Sequence, residues 1–131
     1  PTMTAEGMFC QQLLGGFPPS HPRMQESVRL IQKNLPNRQN THYYYWYYGS
    51  LAMHQNQGDA WEKWNENLRP ILVRNQVRNG SDRVDGSWDP IGQYGPQAGR
   101  CVVTAMATLS LEVYYRYLPL SSPEWLKKKG K

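Results

Sequence analysis

The chain has 131 residues, of which 39% are hydrophobic, and it carries a formal net charge of +5. This length accommodates one domain with its own core, and this apolar content excludes a charged disordered segment. No uninterrupted apolar run approaches the roughly 20 residues that cross a bilayer, so we expect no transmembrane segment. The first residues lack the charged-then-apolar build of a signal peptide, and the sequence indicates no cellular compartment.

The positive charge is concentrated at the carboxyl end. Between residues 121 and 131, four lysines outweigh Glu124 and account for three of the five formal charges. A basic end of this kind is typical of a solvated tail, and no ordered segment interleaves Lys and Arg with aromatic residues. We therefore divide the chain into a helical domain over residues 1–120 and a basic tail over 121–131, and we predict no nucleic-acid partner.

Two helices are predicted at the amino end. The first extends from an N-cap at Thr4 to Leu14, and the two glycines that follow end it. The second extends from Pro22 to Leu35, with apolar residues at helical spacing on one side and charged residues on the other. The second helix is therefore expected to lie on the surface of the domain.

Six consecutive aromatic residues, from Tyr43 to Tyr48, form the third candidate element. Such a run has strand propensity, but the apolar pattern continues for another turn through Leu51 and Met53, which is longer than most strands. We prefer a helix that is apolar on nearly every side and buried between layers. Five side chains of this run are interpreted either as core or as a surface for an apolar ligand or partner: Tyr43, Tyr44, Trp46, Tyr47 and Tyr48.

Two further helices complete the pattern. The fourth is predicted from an N-cap at Asp59, with Glu62 completing a capping box, and Pro70 is expected to kink or divide it. The fifth extends from Cys101 to Leu118 and is apolar on most sides. Inner and outer helices thus alternate, and the short links favour antiparallel hairpins. The predicted fold class is all-α, with about five main helices.

Cys10 and Cys101 both lie in apolar helical contexts and lack metal-ligand spacing to a His or another Cys. We therefore expect buried, unreactive thiols and no metal or other cofactor. A bridge between the two thiols would require neighbouring helices, which the sequence alone does not establish.

The segment after the fourth helix contains Gln76, followed at a distance by Gly86 and Trp88. This pattern resembles the QW motif of squalene–hopene and oxidosqualene cyclases, although the gap between Gln76 and Gly86 is longer than usual. In that family, the Gln ends an outer helix and packs on the Trp of the following turn. The resemblance implies a structural role for these three residues, because Trp offers a large face and Gln offers both a donor and an acceptor.

Thr4-Ala5 and Thr104-Ala105 resemble the Thr-Ala pairs that open inner helices in the same family. Together with the QW-like segment, they extend the resemblance over residues 2–118. The resemblance implies a partial α/α toroid similar to the prenyltransferase/squalene oxidase repeat proteins. A complete toroid has about six hairpins, so we expect the inner face to pair with a second copy or with other repeats of a longer parent chain.

This chain differs from that family at the positions of the catalytic acids. Squalene–hopene cyclases protonate an alkene with an Asp in an Asp-x-Asp-Asp-Thr-Ala run. The corresponding positions here are Arg100, Val102 and Val103, and an aliphatic side chain cannot donate that proton. The zinc ligands of the related protein prenyltransferases are also missing, because Gly99 stands two residues before Cys101. We therefore predict no catalytic residue and no metal site.

Two hypotheses on function remain open. In the first, the chain is a non-catalytic repeat domain that acts in binding or assembly through an aromatic inner face, with an apolar ligand, a second copy or other repeats as partner. In the second, it is part of a terpene-cyclase-like enzyme that acts on isoprenoid substrates, with the catalytic acids elsewhere in the parent chain.

Overall fold

The computed structural model describes residues 1–15, 17–78 and 83–116. These residues form an all-α domain, as predicted, and their β-structure is limited to one isolated bridge between Gln76 and Trp88. Five main helices and a short sixth one follow each other along the chain: α1 (Thr2–Leu13), α2 (Pro22–Gln32), α3 (Tyr43–Asn56), α4 (Gly58–Asn75), α5 (Gly95–Leu111) and α6 (Val113–Arg116).

The first two helices lie where they were predicted, with different ends. α1 begins earlier than expected, so Thr4 lies inside the helix and does not cap it. α2 is capped by His21, whose Nδ1 accepts a hydrogen bond from the backbone N–H of Arg23 at 3.2 Å. α2 also ends before Leu35, which packs against the core from the connecting segment.

The aromatic run forms the central helix α3, which confirms the helical interpretation. Gly49 lets α4 approach α3 closely, because a Cβ at Gly49 would lie 2.3 Å from two ring carbons of Trp64. The fully buried Trp64 donates its Nε1–H to Ser50 Oγ at 3.1 Å, and Ser50 in turn donates to the carbonyl of Trp46 at 2.7 Å. A polar chain inside the apolar contact thus fixes where α4 crosses α3.

The turn between α3 and α4 consists of Gln57 alone, with φ at 62°. Because this turn is so short, the two packed helices form an antiparallel hairpin and α4 begins at once, at Gly58. Asp59 therefore lies in the first turn of α4, and the prediction that it is the N-cap is wrong. Of the two expected effects of Pro70, a kink or a division, the helix is not divided: α4 continues past this exposed proline to Asn75.

α5 differs most from its prediction. It begins at Gly95, and Gly99, with φ 79° and ψ 167°, interrupts the helical conformation before Cys101 is reached. The helix ends at Leu111 and α6 follows. Positions 117–131, which include the predicted end of the fifth helix and the basic tail, lie outside the described residues.

α1 and α3 lie side by side in parallel. Near their starts, Thr2 Oγ1 and His42 Nε2 are 3.3 Å apart, and near their ends Gln12 Nε2 donates to the carbonyl oxygen of Ala52 at 3.0 Å. Both pairs are separated by 40 residues, so the two helices advance in the same direction and in register.

α5 extends the same layer on the other side of α3. The ring of His42 meets that of Tyr94 at 5.8 Å, at the start of both helices, and His54 meets Tyr114 of α6 at 6.0 Å, beyond their far ends. α2 packs on α1, and α4 packs on both α3 and α2. The described helices therefore form an inner layer of α1, α3 and α5 and an outer layer of α2 and α4, in the predicted alternation.

The two cysteines correct one expectation. Cys10 and Cys101 are exposed free thiols, not buried ones. α1 and α5 each bury mainly the side that faces α3, and both cysteines lie off that side, where neither α2 nor α4 covers them. An apolar sequence context therefore did not imply burial among the described residues.

Candidate functional site

The structure brings Gln76, Gly86 and Trp88 together where α4 ends. The side-chain amide of Gln76 donates to the carbonyl oxygen of Gly86 at 2.9 Å, and the backbone of Gln76 pairs with that of Trp88 in an antiparallel bridge. Gly86 has φ at 76°, a conformation that glycine adopts without strain. We call these three residues the clasp.

Trp88 connects the clasp to both neighbouring helices. Its side chain is 3% exposed, and its Nε1–H donates to the carbonyl oxygen of Leu72, in the last turns of α4, at 2.8 Å. Its backbone N–H donates to Thr104 Oγ1 in α5 at 3.1 Å. The clasp therefore connects α5 to the end of α4.

Arg100, Val102 and Val103, at the start of α5, lie next to the clasp. Arg100 donates to Ser87 Oγ at 2.9 Å and forms an ion pair with Asp89, so its guanidinium is held by the loop before α5. Val103 is buried in the core, whereas Val102 is 41% exposed. Arg100 therefore contacts the loop, Val103 packs in the core, and Val102 contributes apolar surface.

The aromatic run is divided between core and surface. Tyr43 and Trp46 are buried, at 3% and 1% exposure, and their rings meet edge to face at 5.3 Å. Tyr44 is 36% exposed, while Tyr47 and Tyr48 are half-buried. Tyr43 and Trp46 thus belong to the core. The surface part of the predicted aromatic face consists of Tyr44, Tyr47 and Tyr48.

A cavity of about 750 Å³ opens at the end of the inner layer where α1, α3 and α5 begin. Its walls are mainly apolar and aromatic, and the segment before α5 contributes Tyr94. The lining residues that matter most below are Met3, Glu6, Tyr43, Tyr44, Val102 and Met106. The volume lies within the range of about 300–1,000 Å³ that is usual for small-molecule sites.

Glu6 is the one carboxylate among the described residues that line this cavity. The hydroxyl of Tyr44, which lines the same wall, interacts with this carboxylate, and this interaction is the main reason why the pKa of Tyr44 is raised above its usual value. Oε1 of Glu6 is shielded from solvent and makes no hydrogen bond to the described residues. Among the described residues that line the cavity, none is a Lys or Arg.

His42 also faces the cavity, but its two ring nitrogens are engaged in structure. Nδ1 accepts a hydrogen bond from the backbone N–H of Tyr45 at 3.2 Å, which caps α3, and Nε2 lies 3.3 Å from Thr2 Oγ1. Burial lowers the pKa of His42, so the ring is neutral near pH 7, with its proton on Nε2. His42 therefore orders the starts of α1 and α3.

Sequence reasoning missed several of the cavity residues. Met3, Glu6 and Tyr94 stand in elements that the sequence placed correctly or nearly so, yet no local pattern distinguishes them from ordinary surface residues. A structural signal is present in α1, where Met3 and Leu13 stay strongly exposed on a helix assigned to the inner layer. That exposure becomes visible only once the neighbouring helices are known.

Among residues 1–15, 17–78 and 83–116, no group of three or more His, Cys, Asp or Glu side chains is placed to hold a metal ion. In the same part of the chain, no helix is both long and apolar enough to cross a membrane. Comparison with protein-family models, with curated proteins and with solved structures finds no match.

Proposed function

We propose that this chain is a non-catalytic helical repeat domain, similar in plan to the α/α-toroid repeats of squalene cyclases and prenyltransferases, whose inner face binds an apolar small molecule. The observation that carries the proposal is the cavity at the start of the inner helices, with its mainly apolar walls and a volume of about 750 Å³. Apolar walls with few polar groups are typical of small-molecule sites.

The arrangement of helices supports the likeness to toroid repeats. Two consecutive hairpins, α1 with α2 and α3 with α4, repeat with parallel inner helices, and contacts between α1 and α3 join residues 40 positions apart. The clasp of Gln76, Gly86 and Trp88 stands at the end of an outer helix, where the QW motif stands in those proteins.

The non-catalytic part of the proposal rests on the side chains that face the cavity. Val102 lines it where the cyclases have an acid, and Arg100 is paired with Asp89 in the loop. The imidazole of His42 is occupied by the cap of α3 and by Thr2. We expect no turnover of squalene or of a prenyl diphosphate by this chain; product formation would instead support the alternative, a portion of a terpene-cyclase-like enzyme.

The binding proposal is tested with a neutral apolar fluorophore, N-phenyl-1-naphthylamine, whose emission rises in apolar surroundings. Val102→Trp places a large ring in the cavity wall, and Leu30→Trp is the matched control, because Leu30 is 42% exposed on α2 and does not line the cavity. We expect saturable binding to the unmodified chain and to the control, and at least tenfold weaker binding to Val102→Trp. No saturable binding, or equal binding by both variants, would refute the proposal.

A further inference from the structure

The carboxylate of Glu6 distinguishes this cavity from a purely apolar one. Apolar and aromatic side chains form most of its wall, and none of the described lining residues is a Lys or Arg that could pair with Glu6. The two ion pairs of the described residues lie elsewhere, at Arg100–Asp89 and Arg116–Glu112. A charge in such surroundings favours a ligand that brings the opposite charge, since water screens it less than at an open surface.

The hydrogen bonds at Glu6 indicate unused acceptor capacity. A carboxylate has about four lone-pair sites. The Tyr44 hydroxyl lies in the same wall and interacts with the carboxylate, while Oε1 is shielded from solvent and has no hydrogen-bond partner among the described residues. A primary ammonium group offers three donors and no acceptor, so it matches what the carboxylate lacks.

Aromatic rings in the same wall favour the same ligand. Tyr43, Tyr44 and Tyr94 all line the cavity, and the faces of such rings attract an organic cation. The amino-terminal ends of α1, α3 and α5 lie at this cavity and disfavour a cationic ligand, because each carries a partial positive charge of about half a unit. That partial charge is spread over backbone N–H groups, several of which are already bonded: His42 accepts from one at the start of α3.

We propose that the cavity takes an apolar molecule that carries a single primary ammonium group, with the ammonium at Glu6 and the apolar body against Met3, Val102 and Met106. This inference rests on the proposed function, because it specifies the ligand class for the same cavity. The walls leave room for a body considerably larger than one aromatic ring.

The test compares three probes of the same length: 4-phenylbutylammonium, 4-phenyl-1-butanol and 4-phenylbutanoate. Affinities are measured by isothermal titration calorimetry at low ionic strength. We expect the ammonium to bind about tenfold or more tightly than the alcohol, as a charge-assisted hydrogen bond implies, and the carboxylate to bind weakest. Added salt should weaken the ammonium complex and leave the alcohol complex unchanged.

Variants assign the preference to Glu6. Glu6→Gln keeps the shape of the side chain and should remove the tenfold preference while the alcohol still binds, which also shows that the variant is folded. Glu6→Asp keeps the charge and should retain part of the preference. Glu62→Gln is the matched control, because Glu62 is an exposed carboxylate of α4 outside the cavity; it should change nothing.

Two sets of results would overturn the inference and separate it from the proposed function. If the ammonium and the alcohol bind equally to the unmodified chain, if the preference survives in Glu6→Gln, or if the butanoate binds most tightly, the ligand class is wrong while the apolar site stands. If none of the probes binds and the naphthylamine does not bind either, the site itself is refuted.

Discussion

Replacing Gly49 by alanine adds one methyl group at the closest approach of α3 and α4. The new Cβ would lie 2.3 Å from two ring carbons of Trp64, whereas carbon atoms in contact prefer about 3.5–4.0 Å. Trp64 is 0% exposed, and its indole is held by Ser50, so the ring cannot swing into solvent. Either the ring or the whole of α4 must shift by more than about 1 Å.

The magnitude follows from two opposing effects. Alanine is favoured over glycine inside a helix by about 1 kcal/mol. Overpacking a core costs about 1–3 kcal/mol, and expelling a buried Trp ring costs about 3–5 kcal/mol. Because the overlap involves the rigid body of a fully buried ring, we expect Gly49→Ala to lower the free energy of unfolding by about 2–4 kcal/mol.

Gly7 provides the matched control in another inner helix. It lies inside α1, and a Cβ built there meets no atom within 4 Å. Gly7→Ala should therefore raise the free energy of unfolding by up to about 1 kcal/mol. Urea unfolding followed by tryptophan fluorescence and helical circular dichroism measures both variants. If Gly49→Ala unfolds at the same urea concentration as Gly7→Ala, or at a higher one, α3 and α4 do not cross as described.

Two further perturbations test the clasp and the buried imidazoles. Trp88→Ala should lower the free energy of unfolding by about 3–5 kcal/mol, because it removes a buried ring. Trp88→Phe loses chiefly the hydrogen bond to Leu72 and should lower the free energy of unfolding by about 1–2 kcal/mol. Equal losses for the two variants in urea titrations would show that the ring is not buried. Burial lowers the pKa of His42 and of His54, so the unfolded chain binds more protons once the pH falls below about 6.5, and stability should decline from there toward pH 5. Melting temperatures at constant ionic strength measure this decline, and a melting temperature that stays constant or rises over that interval would contradict neutral, buried rings.

The sequence was sufficient to predict the order of the helices and the alternation of layers. Apolar periodicity carries this information directly, and the length of the apolar run correctly outweighed the strand propensity of Tyr43 to Tyr48. The segment containing Gln76 and Trp88 was identifiable because the two residue types have a specific structural use. Apolar patterns that repeat over several helical turns therefore predicted the helices of this chain.

Features that depend on one residue or on a neighbouring element were not predictable. Asp59 looks like an N-cap in isolation, but the one-residue turn at Gln57 starts α4 before it. Gly99 interrupts α5 with a backbone conformation that no local pattern announces. Cys10 and Cys101 are exposed because neither α2 nor α4, the outer helices of the described residues, covers that side of the inner layer. The place of Glu6 in the cavity was also not predictable from α1 alone, because the residues that surround it belong to α3 and α5.

The packing of the tyrosines of α3 determines the shape of the cavity wall. Tyr45 points toward the outer layer, where its hydroxyl donates to the carbonyl oxygen of Asn34 at 3.0 Å and its ring meets Trp64 edge to face at 5.4 Å. These contacts fix the rotation of α3 about its axis. The neighbouring Tyr44 is thereby directed away from the outer layer and into the cavity wall, beside Glu6. Because successive residues of a helix are about 100° apart, the packing of one tyrosine sets the position of the next. The cavity wall is therefore preorganised by the core.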